Sequence, residues 1–250
     1  TPAAQLTTKA TDCFAPDNIH IVGDVNASDA ILAWDVVPDA IRYTYELSTN
    51  GRIIRRGTVT TDTIVLNGLA AKTQYSISVR TYCSATDSTV PAQFQFRTIA
   101  TPATIPYVCG FEGTAENNNW DYIVSQNINN FVIGNSPLGK KDGSRGLYIS
   151  SDGVSYGQSL YASGSTQYVY NVAYAIRTIE FDHAGTYQVD FDWRCFGTTF
   201  AVYYNAFGRA FIAPMDANLL PDNPAFIGNT LPSGSLMLES NLTEQQNWTH

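Results

Sequence analysis

The sequence predicts an all-β chain laid out as two successive β-patterned regions, and three observations carry that expectation. Apolar residues alternate with polar ones at a period of two over many short runs. Turn-forming residues punctuate those runs. The composition is that of strands: aromatics make up 12% and charged residues only 14% of the chain, against roughly 25% charged in an average soluble protein. Helices draw on Ala, Glu, Lys and Leu, whereas β-branched and aromatic residues suit a pleated, half-buried surface. No segment reads as a helix.

At 250 residues, the chain has room for one large domain or two ordinary ones. The short, uncharged segment 99–106 carries two prolines and reads as a linker. It leaves an extension at 1–12, a first domain at 13–98 and a second at 107–250. The net charge of −8 divides unevenly: residues 1–100 hold 8 basic and 9 acidic groups, residues 101–250 hold 6 and 13. So acidic a chain is a poor match for nucleic acid. Its aromatic content argues against disorder, and no apolar run approaches the roughly 18 residues of a membrane span. The first residue is Thr1 and no signal-peptide pattern follows, as expected of a processed or excised chain. Four cysteines with no Cys-x-x-Cys spacing, alongside three His, do not suit structural zinc. They suit an oxidising compartment, the alternative being four buried thiols.

In the first region Ala30, Leu32 and Trp34 fall on one strand face, and Ile41, Tyr43, Tyr45 and Leu47 on the next. Asn50-Gly51 is a two-residue hairpin signal, since both positions tolerate positive φ. Ile64, Leu66 and Leu69 follow. Tyr75, Ile77 and Val79 then alternate, with Cys83 in phase, before a last strand at Phe94 and Phe96. About seven short strands separated by turns are the pattern of a two-sheet sandwich.

Leu32-Ala33-Trp34 resembles the strand-B motif of fibronectin type III domains. Gly68-Leu69-Ala70-Ala71-Lys72-Thr73-Gln74-Tyr75, with Val79-Arg80, resembles that family's turn into strand F, where Leu, Thr and Tyr build the tyrosine corner. Ala71 stands where the family usually has Pro. The resemblance implies an immunoglobulin-like sandwich in which Trp34 and Tyr75 are core residues. It extends to fibronectin-like modules of Bacteroidetes surface proteins, in which a Cys at the start pairs with one after strand F. On that pattern Cys13 is expected to bond to Cys83.

The second region is also β-rich. Tyr107, Cys109 and Phe111 are expected on one strand face. Gly146 to Ser150 and Tyr168 to Phe181 read as strands, Phe200, Val202 and Tyr204 as a further one. Tyr187, Val189, Phe191, Trp193 and Cys195 form an unbroken apolar face, with Asp190 and Asp192 opposite. Both Cys109 and Cys195 are thus expected to point into one core, where they either bond or remain two buried thiols.

Pro106-Tyr107-Val108-Cys109-Gly110-Phe111-Glu112 resembles the opening of MAM-like jelly rolls. Residues 146–153 and 185–193 are similar to later motifs of the same group. That group includes cleaved-adhesin and choice-of-anchor J domains of Bacteroidetes surface proteins. The resemblance implies a jelly-roll β-sandwich in which strands would follow Asn247-Trp248-Thr249, so the second domain is expected to be cut short at His250. MAM-like relatives place a carboxylate cation ligand where Glu112 stands. Calcium there is one reading, and an exposed Glu at a strand end the other.

Little points to catalysis. Glu180-Phe181-Asp182 begins like a jelly-roll glucanase motif, but Ala184 and Gly185 stand where its second Glu would be. No Gly-x-Ser-x-Gly elbow is present. Asp190 and Asp192 would lie about 7 Å apart on one strand face, as an acid pair, a cation site or a solvated polar face. Tyr156, Tyr161, Tyr203 and Tyr204 are candidates for stacking on sugars, or are strand residues packing on neighbours. The function expected is a non-catalytic, monomeric, extracellular or cell-surface binding or adhesion protein. It needs no cofactor, has no membrane span, and recognises a host or microbial glycan or surface protein. The alternative is the carbohydrate-binding accessory portion of a secreted glycosidase or protease.

Overall fold

The computed structural model describes residues 13–125, 128–157, 171–195, 207–219, 231–243 and 245–250. The chain divides into two compact units, Thr1–Thr101 and Pro102–His250.

The first unit holds β1 (His20–Ile21), β2 (Asp29–Ala33), β3 (Arg42–Thr49), β4 (Arg52–Val59), β5 (Thr63–Asn67), β6 (Gln74–Tyr82) and β7 (Ala92–Arg97). They form a three-stranded sheet in the order β1-β2-β5 and a four-stranded sheet in the order β4-β3-β6-β7, with every pair antiparallel. The expected alternation decides what is buried. Ala30, Leu32 and Trp34 meet Tyr43, Leu47, Tyr75, Ile77, Val79 and Phe96 in one core. Ile41 departs from that phase: it precedes β3 and is 50% exposed, because the ladder that would turn it inward begins only at Arg42. Asn50 (φ 48°) and Gly51 (φ 74°) make the β3–β4 turn, a geometry few other residue pairs adopt cheaply. At the turn before β6, Tyr75 Oη accepts the Ala70 N–H at 2.8 Å, while Thr98 Oγ1 donates to the Ala70 carbonyl at 2.6 Å. These bonds satisfy backbone groups of Ala70 that no ladder reaches.

In the second unit the described strands are β8 (Ala103–Thr104), β9 (Trp120–Val124), β10 (Asn130–Gly134), β11 (Gly146–Ser150), β12 (Ala173–Arg177), β13 (Ile179–Glu180), β14 (Trp193–Cys195), β15 (Gly208–Ile212), β16 (Leu236–Leu242) and β17 (Gln245–Thr249). They pair as β8 with β13 in parallel, and as β9 with β12, β10 with β11, β14 with β17 and β15 with β16, all antiparallel. β8 lies inside the segment read as a linker. One turn of helix, α1 (Thr114–Asn117), precedes β9, where no helix was expected.

Tyr148, 4% exposed, organises β10 and β11. A Cβ on Gly134 or Gly139 would strike its ring, so both glycines are the space into which it packs. Its hydroxyl donates to the Val154 carbonyl at 2.6 Å.

Two expected strands differ. Residues 107–111 are irregular, with Phe111 at φ 63°. The Phe111 carbonyl accepts from Asn117 Nδ2 instead of a neighbouring strand. The run from Tyr187 is irregular until β14 begins at Trp193. There Tyr187 Oη donates to the His183 carbonyl and Gln188 Nε2 to Asp190, so side chains do what a ladder was expected to do. Of the run Tyr168 to Phe181, residues 168–170 lie outside the described residues, as do Phe200, Val202 and Tyr204.

Candidate functional site

The four-stranded sheet of the first unit buries one face and leaves the other to solvent. With Tyr43, Leu47, Ile77 and Val79 turned inward, alternation turns Arg42, Thr44, Glu46, Ser78, Arg80 and Tyr82 outward. The register then sets their neighbours. Thr44 lies between Thr58 and Arg80, and Glu46 between Arg56 and Ser78. β3, β4, β6 and β7 together carry six Arg and one acidic residue, Glu46, while β1, β2 and β5 carry no Arg.

A shallow groove of about 390 Å³ crosses this face, lined among others by Thr44, Thr58, Ser78, Arg56, Arg80 and Tyr82. Arg56 Nε donates to Glu46 Oε1 at 2.7 Å. Arg80 Nη1 donates to the Thr89 carbonyl at 3.2 Å. The Arg42 guanidinium sits 4.1 Å from the Tyr82 ring centroid, a cation–π contact that braces both side chains. None of these residues was singled out from the sequence as a binding residue. The signal was the complement of the one used: once the inward phase of β3 and β6 is known, the outward positions are read by subtraction.

The sequence-derived candidates of the second unit fall in separate places. Glu112 Oε1 accepts the backbone N–H of Ser144 at 2.8 Å and of Arg145 at 2.9 Å, and Oε2 accepts the Ser144 hydroxyl. The Ser144 hydroxyl, then the two N–H groups, hold its carboxyl below the usual range. Glu112 therefore ties down a loop, and a cation would compete with those donors. Asp190 and Asp192 are not on a strand. Asp192 Oδ1 pairs with Lys141 Nζ at 2.9 Å and His250 Nδ1 at 3.2 Å, and Lys141 first, then His250, lowers its pKa. Asp190 Oδ1 lies 3.8 Å from His250 Nε2. The two carboxylates thus flank one imidazole on an exposed patch. Among the described residues no three His, Cys, Asp or Glu side chains gather as a metal set. Tyr156 is half-buried against Tyr148 at 6.4 Å between ring centroids. Tyr161, Tyr203 and Tyr204 lie outside the described residues.

Cys13 and Cys83 are joined by a disulfide with Cα atoms 5.8 Å apart. Cys109 and Cys195 are free, half-buried thiols, so of the two readings the bond is not formed. Its premise was a shared strand face. Cys109 instead lies in the irregular segment beside Tyr107, while Cys195 sits in β14 opposite Gln245 of β17. Burial pushes the Cys195 thiol up. Close to Cys109 lies a network the sequence did not reveal. Arg177, its side chain 5% exposed, donates from Nε to Glu116 Oε1 at 2.6 Å and from Nη2 to Oε2 at 3.1 Å. Tyr107 Oη also donates to Oε1, at 2.5 Å. Arg177 chiefly, then Tyr107, holds Glu116 below the usual carboxylate range. Burial first, then Glu116, raises Tyr107. α1 is thereby anchored to β12.

Residues 14–96 match the family model described as fibronectin type III domain. Among solved structures, the fn3 domain of the human collagen alpha-1(XX) chain is 18% identical and covers 37% of this chain and 90% of its own, with a TM-score of 0.33. A myokine structure is 24% identical over 34% of this chain and 95% of its own, with a TM-score of 0.30. The FN1–FN3 domains of chicken CNTN1 are 16% identical over 34% of this chain and 30% of their own, with a TM-score of 0.31. No curated protein matches the chain. The chain thus contains a fibronectin type III domain at residues 14–96, of a type commonly found as an extracellular binding or adhesion module. No helix among the described residues is long and apolar enough to cross a membrane.

Proposed function

We propose that this chain is a non-catalytic, extracellular or cell-surface binding or adhesion protein. Its fibronectin type III domain would present a recognition face, and its second unit would be a jelly roll of the MAM-like kind found in Bacteroidetes surface proteins. The observation that carries the reading is the disulfide-closed sandwich: Cys83, inside the fibronectin type III match at 14–96, is bonded to Cys13 immediately before it. Such bonds persist in oxidising surroundings and are rare in reducing ones. Fold alone does not fix function, so the reading rests on compartment and on the polar, solvent-facing sheet above. It requires no cofactor. Calcium at Glu112 would have to displace the Ser144 and Arg145 donors, and a higher melting temperature on adding calcium would reveal it.

The test is capture by the whole chain on arrays of host and microbial glycans and surface proteins, with oligosaccharide and peptide turnover measured alongside. Saturable capture without turnover is expected. Turnover that survives repurification would overturn the reading, as would failure to retain any glycan or protein.

A further inference from the structure

We propose that the outer face of β3, β4 and β6 is a binding site for an anionic saccharide chain, seated in the groove between Arg56 and Arg80. The assignment deepens the binding role above and rests on it. Charge supplies the first argument. The four-stranded sheet holds six Arg against Glu46 alone, although residues 1–100 as a whole carry more acidic than basic groups. On this sheet Arg42, Arg56 and Arg80 share the outward phase, whereas Arg55 stands opposite inward-facing Leu47 and donates to the Asn67 carbonyl. Arginine matches carboxylate and sulfate with a planar fork of donors.

The shape of the site supplies the second argument. Arg56 and Arg80 are separated by one strand and offset by two positions in register. Their Cα atoms are thus roughly 12 Å apart from sheet spacings. Between them lie the short hydroxyl side chains Thr44, Thr58 and Ser78, which can both donate and accept, as sugar hydroxyls require. The groove volume, about 390 Å³, falls in the range of roughly 300–1,000 Å³ typical of small-ligand sites. Tyr82 offers one aromatic ring beside it. Glu46 positions Arg56 through the 2.7 Å bond and leaves Arg42 and Arg80 as the excess charge.

The same face is a poor protein interface. Such interfaces centre on clusters of aromatic or apolar anchors, whereas the groove sets Tyr45 and Tyr82 among Thr, Ser, Arg and Glu side chains. It is equally a poor platform for single-stranded nucleic acid, which stacks successive bases on successive aromatics, and the acidity of residues 101–250 disfavours a long polyanion.

The test is isothermal titration of the full chain with four probes: a heparin-derived hexasaccharide, a hexagalacturonate, neutral maltohexaose and a hexadeoxynucleotide. At least one acidic sugar is expected to bind one to one, more weakly at high salt. The neutral sugar and the oligonucleotide should bind at least about tenfold more weakly. Preference between the first two probes distinguishes sulfate from carboxylate recognition. Arg56→Ala and Arg80→Ala should each cost about tenfold or more, and Arg80→Lys less, while Val65→Thr on the other sheet should leave affinity unchanged. Thermal unfolding of each variant establishes that it is folded. The assignment is overturned if neither acidic sugar binds, if the neutral sugar or oligonucleotide binds as tightly, or if the folded Arg80→Ala chain keeps its affinity. Should the chain capture only a neutral glycan or a protein, the groove assignment falls and the binding role stands. Release of reducing ends in the same samples would overturn the non-catalytic reading itself, so the two failures are told apart.

Discussion

Trp34 is 2% exposed and meets the Tyr43 ring edge-on, with centroids 5.2 Å apart. Such a ring contributes packing on all sides, so Trp34→Ala should cost about 3–5 kcal/mol, a large share of a small domain's stability. A denaturant midpoint close to that of the parent would show that Trp34 is not core. In the second unit the Arg177 side chain is 5% exposed, and Glu116 supplies its partner. Glu116→Gln should destabilise this unit by about 1–3 kcal/mol, the cost of leaving a charged donor poorly matched. The pH dependence has a definite sign. The folded Glu116 carboxyl lies below its ordinary value of 4.5, so its contribution is complete above that value and is lost as pH falls through the lowered one. Melting of the second unit between pH 6 and pH 3 should show an acid limb that Glu116→Gln makes shallower.

At the scale of elements, β11 depends on a close approach. A Cβ at Gly146 would lie 2.9 Å from the Lys140 Cα and 3.0 Å from the Gly139 carbonyl carbon, and closer still to the Gly139 oxygen. Backbone cannot rotate aside as a side chain can. Gly146→Ala should therefore destabilise by about 1–3 kcal/mol, although strand propensity alone would make it stabilising. Thermal unfolding decides between the two signs. How much of each element was legible in the sequence follows from the same physics. In β2, β3 and β6 one face is buried and the other wet, so period-two patterning reports the core directly, and the Tyr75 corner and the Asn50-Gly51 turn each have one geometry. Tyr107 to Phe111 and Tyr187 to Phe191 also alternate, yet they are not strands. Their polar groups find partners in Asn117, at the end of α1, and in His183 and Gln188, on irregular chain that pattern reading cannot place. The groove on β3, β4 and β6 was legible in principle, because the outward phase follows from the inward one. Arg177 meeting Glu116 was not, since 61 residues separate them.

For the molecule as a whole, two features frame the chain's use: a covalent staple and an uneven distribution of charge. The Cys13–Cys83 bond spans 70 residues, so the chain-entropy model gives it about 4 kcal/mol. Replacing both cysteines by Ser should lower the melting temperature of the first unit by roughly 15–30 °C, read by hydrogen exchange in β2, β3 and β6. A shift of only a few degrees would make the bond incidental to stability. The acidity of residues 101–250 and the Arg-rich sheet of the first unit together favour a ligand that is anionic, short and held on one face.

A crystal structure of the whole chain with an acidic hexasaccharide tests this most directly. Density for the sugar is expected across Thr44, Thr58 and Ser78, with its anionic groups on Arg56 and Arg80. A sugar seated instead on the Asp190–Asp192 patch, or on the outer face of β1, β2 and β5, would contradict it.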